Sequence, residues 1–365
     1  MQTKIPCVLM RGGSSKGPFF LASDLPQDVD LRDRVLLKLM GSPDMRQIDG
    51  IGAAEPLTSK VVIVSPSERD DADVDYLFAQ VVIDRAFVDT GPTCGNMLSG
   101  IGPFVIDQGL VRASDPETTV RIYLVNVDTL VEAIVQTPGG EVTYEGDARI
   151  DGVPGTAAPV KLAFVNAMGG KTGKLLPTGN VLDTIDGIAV SCVDAGMPCV
   201  IAHASDFGKT GYESKAELDA DREFFARFEA IRVQAAARMG MGDASGSVIP
   251  KFVIVAAPQA GGSFTARYFM PHLTHPGMAV TGAVCMASAA AIEGSTVNAV
   301  ADLGPGNPRT IIVEHPTGRI EIELKTSGAP ANPVIERAAV IRTTRRLFEG
   351  FVLIPSSLWP GEQAA

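Results

Sequence analysis

The sequence predicts an α+β protein of two similar domains, each a β-structure wrapped around a central buried helix. At 365 residues the chain is long for one hydrophobic core and suits two domains of about 150 to 200 residues each. Segments rich in β-branched residues dominate, separated by glycine, proline and acidic turns. Two apolar segments with many small residues recur about 185 positions apart. This weak repeat predicts one buried helix in each half.

The strand signals follow one another along most of the chain. Their apolar and β-branched composition predicts strands at residues 5–10, 60–64, 76–83, 119–126, 130–136, 160–165, 252–256, 310–314 and 320–324. Helical periodicity appears at residues 31–40 and 214–239, where charged and apolar positions alternate at helical spacing. The second segment is predicted to be an amphipathic helix with one face exposed to solvent.

The two apolar segments are "CGNMLSGIGPFVIDQG" (residues 94–109) and "TGAVCMASAAAIEG" (residues 281–294). Each starts at a glycine turn and ends at a glycine suited to a left-handed C-cap. A helix that is apolar on all faces is buried, and its unpaired N-terminal N–H groups can receive an anion. We therefore expect domains at residues 1–180 and 181–355, joined near residues 175–187, a tail at 356–365, and an active site in the cleft between the domains.

The charge and cysteine content exclude several classes of function. A net charge of −11 disfavours binding to nucleic acid or to an anionic membrane surface. No apolar run reaches the length of a membrane span, and "MQTKIPCVLM" does not resemble a signal peptide. Five scattered cysteines and four histidines predict reduced thiols in the cytoplasm and no metal site.

The stretch "MRGGSSKGPFF" at residues 10–20 has the composition of an anion-binding loop. It is not a Walker loop, because Lys16 precedes Gly17 and Pro18 follows it, and the Rossmann glycine pattern is absent. Taken alone, the stretch is equally well explained as a Gly-Ser turn after a first strand.

Two residues could carry chemistry. Cys94 lies where a helix begins, and a helix N-terminus stabilises a thiolate, although a cysteine is also an ordinary small core residue. Lys60 starts an apolar strand, where lysine is most often a solvated residue at the edge of a sheet. A partly desolvated lysine can instead act as a general base.

Several motifs resemble the PrpF family, which contains methylaconitate isomerases and 4-oxalomesaconate tautomerases or isomerases. The similarity covers roughly residues 5–355. It is carried by "MRGGSSKG", "GSPDMRQIDGIGAAEPLTSK", "DADVDYLFAQV", "CGN", "LLPTGN", "DAGMP", "EAIR" and "EHPTGRIE". The segments "EPLTSK" and "RYFMPH" most resemble those of the oxalomesaconate enzymes of aromatic-acid catabolism (gallate and protocatechuate).

The resemblance implies a diaminopimelate-epimerase-like fold and proton transfer on a tri- or dicarboxylate without a cofactor. It implies that Lys60 is the catalytic base and that Cys94 is a second catalytic residue. In the more distant epimerases each half supplies one cysteine, but here "AVTG" places Ala279 at the second position. One base fits a 1,3-proton shift in an allylic system better than inversion of a stereocentre.

The substrate is expected to be held by the glycine-rich stretch, the two helix starts and an arginine of the second half. The predicted contacts are Arg11, Ser14, Ser15, Lys16, Gly95, Asn96, Arg267, His272, Thr281 and Gly282, with His275 nearby. Thr93 and the turn at residues 126–129 depart from the oxalomesaconate enzymes, which leaves the substrate open. The alternatives are a 2-methylaconitate or related aconitate or itaconate isomerase, and a non-catalytic polycarboxylate-binding accessory protein. Nothing in the sequence marks an interface, and a homodimer is left open.

Overall fold

The computed structural model describes residues 1–91, 93–165, 168–271 and 273–361. Its internal contacts divide the chain into two units. The first contains Met1–Leu162 and Ile341–Ala365, and the second contains Ala163–Val340. The first unit is therefore discontinuous in sequence, whereas the sequence-based boundary lay at residue 180 and set only residues 356–365 apart as a tail.

The first unit is a mixed sheet with helices on both faces. Its elements in chain order are β1 (Gln2–Gly12), β2 (Ser15–Leu21), α1 (Val29–Met40), β3 (Lys60–Pro66), β4 (Val74–Val81), β5 (Val88–Asp89), α2 (Gly95–Leu98), α3 (Ile101–Asp107), β6 (Glu117–Leu124) and β7 (Thr129–Gln136). Strand β1 pairs antiparallel with β2, β2 parallel with β3, and β3 antiparallel with β4. Strand β4 then pairs antiparallel with β5 and parallel with β6, which pairs antiparallel with β7.

The second unit repeats this order of pairings. After β8 (Pro159–Val165), which passes from the first unit into the second, come β9 (Asp183–Ile185), β10 (Ile188–Asp194), β11 (Pro198–His203), α4 (Lys215–Asp219), α5 (Arg222–Arg238), β12 (Lys251–Ala256), β13 (Phe264–Met270), β14 (Leu273–Thr274), α6 (Val280–Ala290), β15 (Arg309–His315), β16 (Gly318–Ala329) and β17 (Asn332–Pro355). Strands β10 to β13 pair as β1 to β4 do, and β13 pairs with β14 and β15 as β4 pairs with β5 and β6. The α+β fold of two similar parts is confirmed.

Each unit has a helix-covered core, as the apolar patterns predict. In the first unit α1 places Val35, Leu36, Leu39 and Met40 against Val61 and Ile63 of β3. In the second unit α5 packs a cluster of phenylalanine rings on β12 and β13. Helix α6 has ten buried residues, so the prediction of a fully buried helix in the second half is confirmed.

The predicted helix at residues 94–109 is instead two short helices, α2 and α3. Pro103 lies in the first turn of α3 and has no N–H to donate to the carbonyl of Ser99, so a hydrogen bond that would join the two helices is missing. The side chain of Ser99 donates to the carbonyl of Asn96 at 2.7 Å, which helps to satisfy the end of α2. The predicted helix at 214–239 is also divided, because Asp221 caps a new helix by accepting from the N–H of Phe224.

Candidate active site

The glycine-rich stretch of residues 10–20 forms a tight hairpin that packs on helix α2. Strands β1 and β2 meet at a two-residue turn, in which Gly13 has a φ of +53°. A Cβ at Gly12 would lie 2.6 Å from the carbonyl oxygen of Asn96, so the strand needs glycine to approach the helix. The side chain of Asn96 donates from Nδ2 to Oγ of Ser14 at 3.1 Å. The turn and the start of α2 are thus fixed to each other.

The same hairpin packs against the backbone of Lys60. A Cβ at Gly17 would overlap the carbonyl oxygen of Lys60 and would lie 3.2 Å from Cε of Met97. Glycine at position 17 therefore lets β2 approach the backbone of the first residue of β3 closely. This close approach places the turn, α2 and Lys60 in one cluster.

Lys60 is buried, with 9% of its surface exposed. Its Nζ donates to Oε1 of Gln80 at 3.0 Å and lies 5.0 Å from the centre of the Phe78 ring. The amide of Gln80 is held in turn, because its Nε2 donates to the carbonyls of Ser59 at 2.8 Å and Pro56 at 3.1 Å. The lysine amine is thus held at a defined position.

Strand alternation places Lys60 on the face of the sheet that α2 covers. Val61 and Ile63 pack with α1, so Lys60 points to the opposite face. Phe78 and Tyr76 of β4 pair with the next two residues on that face of β3, and the hydroxyl of Tyr76 donates to the carbonyl of Cys94 at 3.2 Å. Lys60 and Cys94 therefore lie on the same side of the sheet.

Cys94 is half-buried and is the residue before the first turn of α2. The preceding segment is fixed by Asn126, the first residue of the turn at residues 126–129. Its Oδ1 accepts from the N–H of Phe78 at 2.9 Å, and its Nδ2 donates to the carbonyls of Phe78 at 2.9 Å and Thr90 at 2.5 Å. Asn126 thus joins the strand under the Lys60 amine to the chain that leads into Cys94.

Two hydroxyl groups near this cluster are buried without a hydrogen-bond partner among the described residues. Ser15 is 2% exposed and shares a face of β2 with Gly17, and Thr93 directly precedes Cys94. A buried hydroxyl that lacks a partner carries a desolvation cost unless a ligand or water satisfies it. The predicted contact residue Ser15 is therefore available to a bound polar group.

Arg11 and Lys16 lie on the other face of the hairpin. They pair directly across β1 and β2, one position out of phase with Gly12 and Ser15. Nη1 of Arg11 donates to the carbonyl of Gly13 at 2.8 Å and to both oxygens of Thr343 at 3.0 Å. Burial, and secondarily the charge of Arg345, lower the pKa of Arg11. Arg11 binds the turn and β17, and the hairpin does not bring it to the face of Lys60.

The predicted contacts of the second unit lie around strand β13 and the start of α6. Arg267 is buried, donates from Nε to the carbonyl of Glu213 at 2.8 Å, and has its pKa lowered by burial. Thr281 lies in the first turn of α6, and a Cβ at Gly282 would lie 2.5 Å from the ring of Tyr268. Their role as substrate contacts stays a prediction. His272 lies outside the described residues.

His275 and Cys285 each make a hydrogen bond to the backbone of the second unit. Burial lowers the pKa of His275, whose Nδ1 accepts from the N–H of Gly277 at 3.0 Å. Cys285 is fully buried in α6 with Sγ 3.5 Å from the carbonyl of Val193. Ala279 is the N-cap of α6, as Cys94 is of α2. The repeat thus places alanine at the position equivalent to Cys94.

The repeat also gives Lys60 a counterpart that the sequence did not reveal. Lys251 begins β12 and is buried, as Lys60 begins β3. Within the described residues, no three His, Cys, Asp or Glu side chains form a group that could hold a metal ion. In that same part of the chain, no helix has the length and apolarity needed to cross a membrane.

We expect Gln80→Leu to lower kcat about 10-fold or more with a smaller change in KM. The variant removes the acceptor that holds Nζ of Lys60, so the amine loses its fixed orientation. Steady-state kinetics of the isomerisation proposed below would measure both constants. Gln136→Leu is the matched control, because Gln136 donates to Glu117 on an exposed part of the sheet. Equal effects of the two variants would contradict a positioning role for Gln80.

The chain matches the family described as PrpF protein over residues 2–355. It is 54% identical to YbhH of Escherichia coli (strain K12) over 353 residues, 96% of this chain and 99% of that one. It is 49% identical to the 4-oxalomesaconate tautomerase of Pseudomonas putida (strain KT2440) over 362 residues, 99% of each chain.

Solved structures show the same fold. A methylitaconate-delta-isomerase superposes with a TM-score of 0.88 at 39% identity, covering 98% of this chain and 97% of that one. A hydroxyproline epimerase from Agrobacterium vitis superposes with a TM-score of 0.52 at 12% identity, covering 96% of this chain and 93% of that one, which is a likeness of fold.

Proposed function

The chain belongs to the PrpF family and is an isomerase, and we propose that it shifts a proton between the two ends of an allylic system in an unsaturated polycarboxylate, without a cofactor. We propose 4-oxalomesaconate as the substrate, in the cytoplasmic breakdown of aromatic acids. The 49% identity to a tautomerase of that name over 99% of both chains supports this choice.

The observation that carries the proposal is the buried amine of Lys60. It is the first residue of an apolar strand, yet the residue is buried, and its Nζ is held by Gln80 and the Phe78 ring. A fixed amine of this kind, in its neutral form, can take a proton from carbon and return it to another carbon close by.

The chemistry needs one base and groups that stabilise negative charge. The amine of Lys60 takes the proton from the carbon next to the double bond, and the electron pair of that C–H bond delocalises over the alkene and the adjoining carbonyl groups. The amine then returns a proton to the far end of the allylic system, so the double bond has moved and nothing is consumed. The substrate delocalises its own charge, so no electron sink is required from a cofactor.

The hairpin and the start of α2 are proposed to hold the substrate. Ser15 offers a buried hydroxyl that has no partner within the described residues, and Asn96 fixes the turn beside it. Cys94 is proposed as a second polar group at the reacting carbons, with its backbone held by Tyr76.

A second candidate is isomerisation of methylitaconate or methylaconitate. The solved methylitaconate-delta-isomerase matches 98% of this chain and supports that substrate class. Its reaction is also an allylic proton shift, so the proposed role of Lys60 is the same. The two candidates differ in the groups that the pocket must hold, and direct comparison of substrates separates them.

We expect the protein to introduce deuterium into 4-oxalomesaconate when the two are incubated in D₂O and followed by proton NMR. The signal of one carbon-bound proton is expected to decrease as the isomer appears, at a rate that EDTA does not change. Methylitaconate and 2-methylaconitate serve as parallel substrates. Faster exchange with one of them would replace the substrate proposed here. Activity that EDTA removes and a divalent metal restores would contradict the cofactor-independent mechanism.

A further inference from the structure

Strand β17 carries Arg342, which the sequence analysis did not single out. This arginine lies on the face of the sheet that Lys60 and α2 share. Strand β1 pairs antiparallel with β17, with Gly12 opposite Thr344 and Arg11 opposite Arg345. Arg342 lies two residues from Thr344, so the two share a face of β17. That face includes Gly12, the glycine on which α2 packs. Arg342 therefore lies on the face that carries Gly12, and Arg11 lies on the opposite face.

The register also places Arg342 beside the turn of the hairpin. The N–H of Gly13 donates to the carbonyl of Thr343 at 2.9 Å, so the chains continue side by side past Gly12. Arg342 directly precedes Thr343 on β17, and the turn also contains Ser14, which accepts a hydrogen bond from Asn96 of α2. At the other end of this face, Arg346 pairs with Asp107 at the end of α3. Of these two arginines, Arg342 is thus the one nearer the hairpin turn.

The guanidinium of Arg342 lacks a carboxylate partner within the described part of the chain. Nη1 donates to the carbonyl of Ile341 at 3.0 Å, while Nε is buried and has no hydrogen-bond partner among the same residues. Burial alone lowers the pKa of Arg342 to about 10, with no contribution from a described carboxylate. An arginine is still charged at neutral pH under these conditions, so the half-buried charge of Arg342 has no neutralising carboxylate among the described residues.

We propose that Arg342 binds a carboxylate group of the substrate, which supplies the missing negative charge. The inference rests on the proposed function, because an unsaturated polycarboxylate is the ligand that it assigns to this face. The planar guanidinium suits a carboxylate, since its N–H groups can donate to both oxygens at once. The arginine thus takes the role of the cation that holds negative charge of the substrate on the face of the sheet that also carries Lys60.

The test compares Arg342→Met with Arg346→Met, using tricarballylate as a non-reacting tricarboxylate probe. Calorimetry is expected to show that Arg342→Met weakens tricarballylate binding by about 10-fold or more, because a charge-assisted pair is lost. The Tm of this variant without ligand is expected to equal or exceed that of the wild type, since an unpaired buried charge has been removed. Arg346→Met is expected to lower Tm, because it breaks the pair with Asp107, and to leave binding unchanged.

Arg342→Lys keeps the charge and removes the planar fork, so it is expected to bind tricarballylate more weakly than the wild type and more strongly than Arg342→Met. Unchanged binding in Arg342→Met would overturn the inference, as would failure of the wild type to bind tricarballylate. A lowered Tm in Arg342→Met together with wild-type affinity would show a purely structural arginine.

The test of Arg342 and the test of the proposed reaction can give different results. Deuterium exchange into 4-oxalomesaconate with an unchanged KM in Arg342→Met would overturn the inference and leave the proposed function standing. Binding of tricarballylate that depends on Arg342, without exchange into any of the three candidate substrates, would support the inference and remove the proposed reaction.

Discussion

Lys60→Met is expected to lower kcat by about 10³-fold or more while the protein remains folded. Methionine fills most of the space of the lysine stem, so the strand and the Phe78 contact are retained, but no amine remains to move the proton. Turnover of 4-oxalomesaconate followed by NMR would measure the loss, and circular dichroism would establish the fold. Activity near that of the wild type in the folded variant would exclude Lys60 as the base.

Two further variants make this test specific. Lys251→Met changes the buried lysine at the equivalent position of the second unit and is expected to retain turnover. Cys94→Ser is expected to lower kcat less than Lys60→Met, because one base suffices for an allylic shift. An inactive Cys94→Ser variant beside an active Lys60→Met variant would require the two roles to be exchanged.

Gly17→Ala is expected to lower the free energy of unfolding by about 1–3 kcal/mol and to reduce kcat as well. The added methyl group would overlap the carbonyl oxygen of Lys60, which belongs to the backbone of a central strand and cannot move aside without shifting the strand. Chemical denaturation would measure the stability, and kinetics of the folded fraction would measure the displacement of the amine.

The control for this substitution is Gly246→Ala. Among the described residues, no atom lies within 4 Å of a Cβ at Gly246, and its backbone is not in the left-handed region. We expect this variant to be as stable as the wild type or slightly more stable, because alanine restricts the unfolded chain. Equal losses in both variants would show that the hairpin does not need its close approach to β3.

Local sequence predicted the regular elements well, and the reasons are physical. The predicted strands at residues 60–64, 130–136 and 252–256 all lie within observed strands, because β-branched residues favour extended backbone and were bounded by turns. The prediction of one continuous helix at residues 94–109 was wrong, because it gave more weight to the small apolar residues than to Pro103. Composition indicates burial, but a proline removes one of the hydrogen bonds that a continuous helix needs.

The candidate site was only partly accessible from the sequence. Taken by itself, Lys60 has the signature of a solvated lysine at the edge of a sheet, and its contacts with Gln80 and Phe78 come from a different strand. Arg11 was predicted to contact the substrate because it belongs to the glycine-rich motif; strand alternation places it on the face opposite Lys60, and its contact with substrate stays a prediction. Arg342 carries no local signal, since its face is set by pairing between strands more than 300 positions apart.

The discontinuity of the first unit has a consequence for how the chain is made. Strand β1 is synthesised more than 300 residues before its partner on one side, the end of β17 from Thr344 to Pro355. The sheet of the first unit therefore has an open edge until β17 has been translated. The second unit, which is contiguous from Ala163 to Val340, has all of its residues available earlier. Vectorial synthesis thus allows the second unit to fold first, and the hairpin beside Lys60 gains its neighbour on β17 only after the second unit has been synthesised.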